Sequence, residues 1–331
     1  GKTVSSGALD SPSEAAVRAP SRTRTVPINI SPKPKPAKTY SLRRYSPLWV
    51  KFYCSWLFAL ATNWTRAWKK GNGWFECAGF AYLLSKASDK ERFLSDFDSA
   101  RASSKAIHIA YHLFFVSQKA EPTVEIIDGE FQLTIRKQGL ICRFRLIATP
   151  DPDKAPFVHD FFPFTDIFFL EVYDFYDFSG GIVIDIGGYI GDSAIYFAKM
   201  GARRVYAYEP NPVNYAYLLK NVELNSVSDS VSPRHCGISR EKLKLIVPHV
   251  LGGGGSMHID AKESTAYDVP TLEPGKLFED DEIVSLLKVD CKGCEREIFT
   301  HCLPEIRKKV RHIIVQVDRS GLWKGKPVKK L

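Results

Sequence analysis

Asp185, Gly187, Gly188 and Gly191 fall within one seven-residue stretch, and Glu209 follows 24 residues after Asp185. Glycine at 187 and 188 lets the main chain turn sharply and approach a ligand with no Cβ in the way. Gly191 lets the helix that follows pack close to the preceding strand, and the N–H groups at its start can face ligand oxygens such as a carboxylate. Glu209 closes the next strand, "VYAYE", where an acid is placed to accept both hydroxyls of an adenosine ribose. A dinucleotide fingerprint reads G-x-G-x-x-G around a pyrophosphate. Here the order is Asp-x-Gly-Gly-x-x-Gly, with Asp192 directly after it. Acids facing the pocket repel a pyrophosphate, whereas Asp185 suits the cationic end of S-adenosylmethionine, so the methyl donor is favoured over NAD.

Across the crevice, Asp290 is the candidate base. In a doubly wound sheet the ligand sits outside the carboxyl ends of the strands, where strand order reverses. Asp290 ends the fourth strand of the series and should face the donor there, with Glu295 an alternative if the loop folds back. Lys288, two residues earlier, is expected to share the face of Asp290 and to pair with it. Cys291 and Cys294 form a C-x-x-C, but a structural zinc needs four ligands and no second such pair exists. No metal is therefore expected, and the two are read as buried thiols. His258, beyond the run "LGGGGSMH" at 251–258, reads as a loop residue.

These residues need an α/β frame. "GIVIDIGG", "RVYAYEP", a weak "SVSPRHCGI", "IVSLLKVDCKG" and "RHIIVQVD" read as strands. The helices "DSAIYFAKMG", "NPVNYAYLLKNVELN" and "CEREIFTHCLPEIRKK" alternate with them. The alternation implies a mostly parallel Rossmann-like sheet with helices on both faces. Ahead of it, 75–118 has helical spacing, 123–148 changes to period two with an Asp128-Gly129 turn, and "DIFFLEVYDFYDF" at 166–178 reads as an aromatic helix. Three parts result: a disordered basic tail over 1–45, a helical and β-hairpin region over 46–165, and the cofactor domain over 166–331.

The net charge of +9 does not belong to the folded middle. Residues 1–45 hold nine Lys and Arg against Asp10 and Glu14, and 319–331 add five more with no acid. Such tails are usually solvated, so nucleic acid is a disfavoured partner and a small-molecule or glycan acceptor the expected one. The stretch "LWVKFYCSWLFALA" at 48–61 is short of the ~20 residues that cross a bilayer. It reads as a buried helix, with membrane-surface contact through 48–68 as the alternative because tryptophans there flank basic residues. Seven scattered cysteines form no disulfide framework, and 1–45 lacks an apolar signal core, so the expected compartment is cytoplasmic.

The segments "VIDIGGYIGDSAIYFAKMGARRVYAYEPNPVNYAYLLKNVELN" (183–225) and "LLKVDCKGCEREIF" (286–299) resemble the FkbM-type class I methyltransferases. That family has a D-x-G-x-x-x-G-D motif, a Glu-Pro-Asn-Pro after the second strand and a K-x-D-x-E-G-x-E stretch after the fourth. The resemblance covers about 166–318. It implies S-adenosylmethionine bound at Asp185, Gly187, Gly191 and Glu209, and methylation of a hydroxyl on a sugar or other small metabolite. Asn211, in the Glu-Pro-Asn-Pro, is grouped with the donor-binding residues. Cys236 stands where an adenine contact is expected, in place of an acid. Lys292 replaces the first Glu of the last motif. A complete class I sheet also has two more strands than this chain shows. Those departures keep alive a catalytically altered binding protein, beside an NAD-dependent oxidoreductase and an RNA methyltransferase.

Overall fold

The computed structural model describes residues 46–67, 74–97, 106–146, 161–248, 264–279, 282–291 and 293–316. The basic tail, the 149–156 boundary, the glycine run, His258 and Lys292 lie outside them.

The first region opens with α1 (Ser46–Ala67), interrupted at Asn63, whose side chain donates to Ala59 O at 3.0 Å. Trp56, Ala59, Leu60 and Asn63 are buried, while Leu57 and Phe58 stand 61% and 71% exposed on the other side. The helix is thus one-sided rather than buried all round. No described helix is long and apolar enough to cross a membrane. Helices α2 (Trp74–Lys86), α3 (Lys90–Phe97) and α4 (Ala106–Val116) follow, as the helical spacing predicts.

Strands β1 (Glu121–Ile127), β2 (Glu130–Lys137) and β3 (Leu140–Arg145) form an antiparallel meander. Asp128 (φ 56) and Gly129 (φ 76) both take the left-handed conformation that a two-residue hairpin turn demands. Phe131 of β2 packs at 6.1 Å from Phe93 of α3, and Phe144 of β3 at 5.0 Å from Phe164.

The aromatic helix is shorter than its pattern suggests. It consists of α5 (Phe162–Thr165) and one wider turn, Asp166–Leu170, and stops at Glu171, which is left-handed with φ 56. The Glu171 carboxylate is held from two elements, by Lys119 at 2.5 Å and by Lys137 at 2.8 Å. That clamp turns the chain, so Tyr173 and Phe178 lie on Phe197, with ring centroids 4.8 and 5.2 Å away.

The second region builds β4 (Ile182–Ile186), α6 (Asp192–Lys199), β5 (Arg204–Tyr208), α7 (Pro212–Leu224) and β6 (Val231–Arg234). After four short strands it continues through β11 (Val284–Val289), α8 (Cys294–His301), α9 (Leu303–Lys309) and β12 (Val310–Val315). The main sheet has the order β12-β11-β4-β5-β6 and is parallel throughout. Every residue of β4 and β11 is buried, as strands covered on both faces require. From β4 the chain runs outward through β5 to β6 and then returns to the other side of β4 at β11. The crevice at the reversal therefore lies between the carboxyl ends of β4 and β11.

Two elements differ from expectation. The third strand is two pieces, because Pro233 has no N–H to extend a ladder and is tolerated only in the edge strand β6. After His235 and Cys236 the chain leaves the sheet, and β7 (Gly237–Ile238) pairs with β10 (Thr271–Leu272). Between them β8 (Leu243–Pro248) and β9 (Ser264–Val269) pair antiparallel. The last helix is also two, α8 and α9, broken at Cys302 (φ −120) where Pro304 begins a new first turn.

The meander and the parallel sheet are joined through α7. Asn225 Oδ1 accepts from Arg143 N at 2.9 Å while its Nδ2 donates to Arg143 O at 2.6 Å. Asn221 repeats the pattern on Arg145, accepting at 2.6 Å and donating at 3.2 Å. Spaced i, i+4 on one helix face, the two amides pair alternate residues of the edge strand β3 as another strand would. Asn221 Nδ2 also donates to Ile190 O, in the glycine turn, at 2.9 Å. Asn225→Ala or Asn221→Ala strands a backbone donor and acceptor, and each should cost about 1–3 kcal/mol in urea unfolding. Amide exchange across 187–191 should quicken only in Asn221→Ala; equal exchange in both variants would deny the link to the turn.

Candidate active site

The turn after β4 is shaped by its own packing. Gly187 N and Gly188 N both donate to Tyr208 O of β5, at 3.0 and 2.9 Å. Gly187 has φ +83, and a Cβ there would lie 2.0 Å from Asp290 O. Gly191 has φ +91, and a Cβ would lie 2.8 Å from Leu218 Cδ1 of α7, so α6 and α7 meet closely at this glycine. Gly188 is different: a Cβ would meet Ala207 Cβ at 3.4 Å, a distance a small shift absorbs. Tyr189, between them, holds a left-handed φ of 46 and donates its N–H to Glu209 Oε2 at 2.9 Å.

Asp185 is fully buried. Its Oδ2 accepts from Ser193 Oγ at 2.6 Å and its Oδ1 from Lys288 Nζ at 2.7 Å. Lys288 also donates to Gly187 O at 2.9 Å. Lys288 therefore forms its ion pair with Asp185, and the expected influence of Asp290 on it is electrostatic, raising its pKa. Parallel register sets Lys288 directly opposite Asp185, whereas Asp290 is past the strand end. Burial alone lowers the pKa of the Lys288 ammonium, and Asp185, Tyr173, Asp290 and Asp192 together outweigh burial and hold it above the usual lysine value.

Asp192 is the first residue of α6 and is buried, with no hydrogen-bond partner at Oδ1 among the described residues. Burial pushes its carboxyl up to about 7, Lys288 opposes, and Asp185 and Asp290 add to the rise. Glu209 is also buried and also pushed up to about 7 by burial. Its Oε1 accepts from Asn211 N at 2.9 Å and from Asn214 Nδ2 at 3.2 Å, besides the Tyr189 bond on Oε2. Three of a carboxylate's four lone-pair positions are occupied, which leaves one on Oε2. Asn211 caps α7, its side-chain oxygen accepting from Val213 N at 2.9 Å, with Pro212 in the first turn. Cys236 is half-buried beyond β6 against the apolar face of the sheet, and burial pushes its thiol up to about 11.

At the acceptor side, Asp290 N donates to Ile186 O at 2.9 Å, which seats Asp290 beside Gly187 across the reversal point. Glu295 is buried and its Oε2 accepts from Gly293 N at 2.8 Å, a local contact at the start of α8. Cys291 and Cys294 are joined in a disulfide, not held as separate thiols. The strand-to-helix turn brings their Cα atoms to 5.8 Å, within the span a disulfide bridges.

The geometry thus brings together Asp185, Gly187, Gly188, Gly191, Asp192, Glu209 and Asp290 around the carboxyl ends of β4, β5 and β11, and sets Cys236 and Glu295 at the margins. Sequence reasoning missed Ser193 and Tyr173. Tyr173 is buried, and burial raises its hydroxyl's pKa in the combined field of Lys288, Asp185, Asp192 and Asp290. Nothing in its aromatic-rich stretch separates it from its neighbours; only the break at Glu171 turns it inward.

A five-stranded parallel sheet with this order, a glycine turn after its central strand and a buried acid after the next defines a Rossmann-like doubly wound domain. Residues 185–327, less than half of the chain, match the family described as Methyltransferase FkbM domain. Methyltransferase 1 of Beauveria bassiana (strain ARSEF 2860) is 24% identical over 214 residues, 56% of this chain and 84% of that one. Methyltransferase sdnD of Sordaria araneosa is 27% identical over 197 residues, 49% of this chain and 76% of that one. Among solved structures, Methyltransferase FkbM from Methylobacillus flagellatus KT is 14% identical with a TM-score of 0.30. That match covers 72% of this chain and spans half the length of the other.

Proposed function

We propose that this chain methylates a hydroxyl of a sugar or other small metabolite, with S-adenosylmethionine as donor. The observation that carries the proposal is the charge balance at the glycine turn. Asp185, Asp192 and Asp290 share the field of the buried cation Lys288, and Asp192 Oδ1 has no hydrogen-bond partner among the described residues. Such a site suits a ligand that brings positive charge and its own donors, and is ill suited to a pyrophosphate. The residues therefore fit the donor: Asp192 for its cationic end, the free position on Glu209 Oε2 for a ribose hydroxyl, and Gly188 for close approach of the main chain.

The donor supplies an electrophilic methyl group on a sulfonium. Asp290 acts as base: it accepts the proton of the acceptor hydroxyl and orients that oxygen. Glu295 closes the loop behind Asp290 through Gly293 and supports its position.

Incubation with methyl-labelled S-adenosylmethionine and fractionated cell extract should label a small-molecule fraction, and Asp192→Asn should abolish the label. Label in no fraction, or equal label with the variant, would remove the proposal. Asp185→Ala is a poor control, because it strands Lys288 as well as emptying the site.

The pH dependence has a definite sign. Asp192 and Glu209 have folded pKa values raised above the ~4 of an unfolded carboxyl, so their stabilising contribution is full below ~4 and is lost as pH rises through about 7. A cationic ligand favours ionised Asp192, so donor affinity should rise between pH 6 and 8 while the free protein loses stability. Thermal unfolding with and without S-adenosylmethionine across that range tests both halves.

A further inference from the structure

The Cys291–Cys294 disulfide occupies the segment between β11 and α8, with Asp290 before it and Glu295 after it. Its partners differ in access: Cys291 is partly exposed, whereas Cys294 is 4% exposed and is the first residue of the eight-residue α8. A link between residues three apart encloses so short a loop that it restrains the unfolded chain less than a long-range link does. Stapling the fold is thus a weak reason for the bond. Its place gives a stronger one. Asp290 is fixed to Ile186 O on one side of the bond, and Gly293, with φ 125, is held by Glu295 on the other. The disulfide closes the turn between these two anchors.

We propose that Cys291–Cys294 is a thiol-exchange site, reduced by dithiols, that holds Asp290 in its working position when oxidised and releases it when reduced. This rests on the methyl-transfer reading of Asp290. A thiolate of the external dithiol attacks Cys291 Sγ, the accessible sulfur. The Sγ–Sγ bond breaks, and its electron pair leaves on Cys294 Sγ at the start of α8, where the exposed N–H groups and helix dipole favour an anion. The second thiol of the reductant then attacks the mixed disulfide and frees Cys291. The chain gains two electrons and two protons, and the dithiol ends as its cyclic disulfide.

Asp185, Asp192 and Glu209 lie on other elements, so reduction should act more on turnover than on donor binding, which feels Asp290 only through its charge. The test equilibrates the full chain in buffers of reduced and oxidised dithiothreitol, then alkylates it and locates the labels by peptide mass. The expected result is one two-electron transition at Cys291 and Cys294. kcat for methyl transfer should fall at least about tenfold on reduction and return on reoxidation, with a smaller change in the KM for donor. Cys291→Ser/Cys294→Ser should sit at the reduced rate whatever the buffer. A bond that resists millimolar dithiothreitol in the native chain, or equal kcat in both states, overturns the proposal. If no acceptor is labelled in either state, methyl transfer itself has failed. Amide exchange over 290–295 then decides the switch alone: faster exchange on reduction supports it, and unchanged exchange refutes it.

Discussion

Lys288→Met is expected to cost about 3–5 kcal/mol of folding stability, since it removes one partner of a buried ion pair. Asp185 would be left fully buried with Ser193 as its hydrogen-bond donor and with Asp192 and Asp290 nearby. Methionine matches the length of the lysine stem, so lost packing adds little. The double variant Asp185→Asn/Lys288→Met removes both charges and should recover most of the loss, because replacing a whole buried pair is often close to neutral. Urea midpoints for the two variants check this. A single variant within about 1 kcal/mol of the parent would show that the pair does not join β4 to β11 in the way described.

The second large effect is expected at Gly187→Ala, and three glycines separate its causes. At Gly129 the φ is +76 and nothing lies within 4 Å of a Cβ, so Gly129→Ala meets only backbone strain, about 1–2 kcal/mol. Gly188→Ala meets no left-handed strain and one contact at 3.4 Å, so its stability should barely change while donor binding weakens. Gly187→Ala carries both penalties: φ +83, and a methyl 2.0 Å from Asp290 O, a main-chain atom that cannot swing away. Strain plus overpacking should total about 3–5 kcal/mol and push Asp290 from the crevice. Thermal unfolding of the three variants should rank them 187, 129, 188 in loss. Similar losses at 187 and 129 would mean that the ends of β4 and β11 are not in contact.

The glycine turn was readable because its constraints are local. A buried strand, a glycine turn and an acid one strand later must fall in that order, and they do so at Asp185, Gly187, Gly191 and Glu209. The Asp128-Gly129 hairpin was readable for the same reason, since two successive left-handed residues mark a tight turn wherever they occur. What escaped was everything set by register between distant segments. Lys288 meets Asp185 rather than Asp290 only because β11 lies against β4 with those two residues opposed. The twin amides of Asn221 and Asn225 look like ordinary polar helix positions until β3 is laid beside them. Tyr173 hides in an aromatic run whose helical period gives no hint that Lys119 and Lys137 will end it at Glu171. The disulfide was set aside because scattered cysteines form no framework, an argument about long-range links that says nothing of a pair folded together by one turn.

Asp192 links the donor reading to one measurable number. Calorimetric titration of the parent chain and of Asp192→Asn with S-adenosylmethionine, with NADH as the competing ligand, tests the account most directly. The expected result is one donor molecule bound per chain, no heat and no competition from NADH, and affinity at least about tenfold weaker in the variant, as loss of a buried charge contact implies. Binding of NADH in place of the donor, or a variant that binds the donor as tightly as the parent, would contradict it.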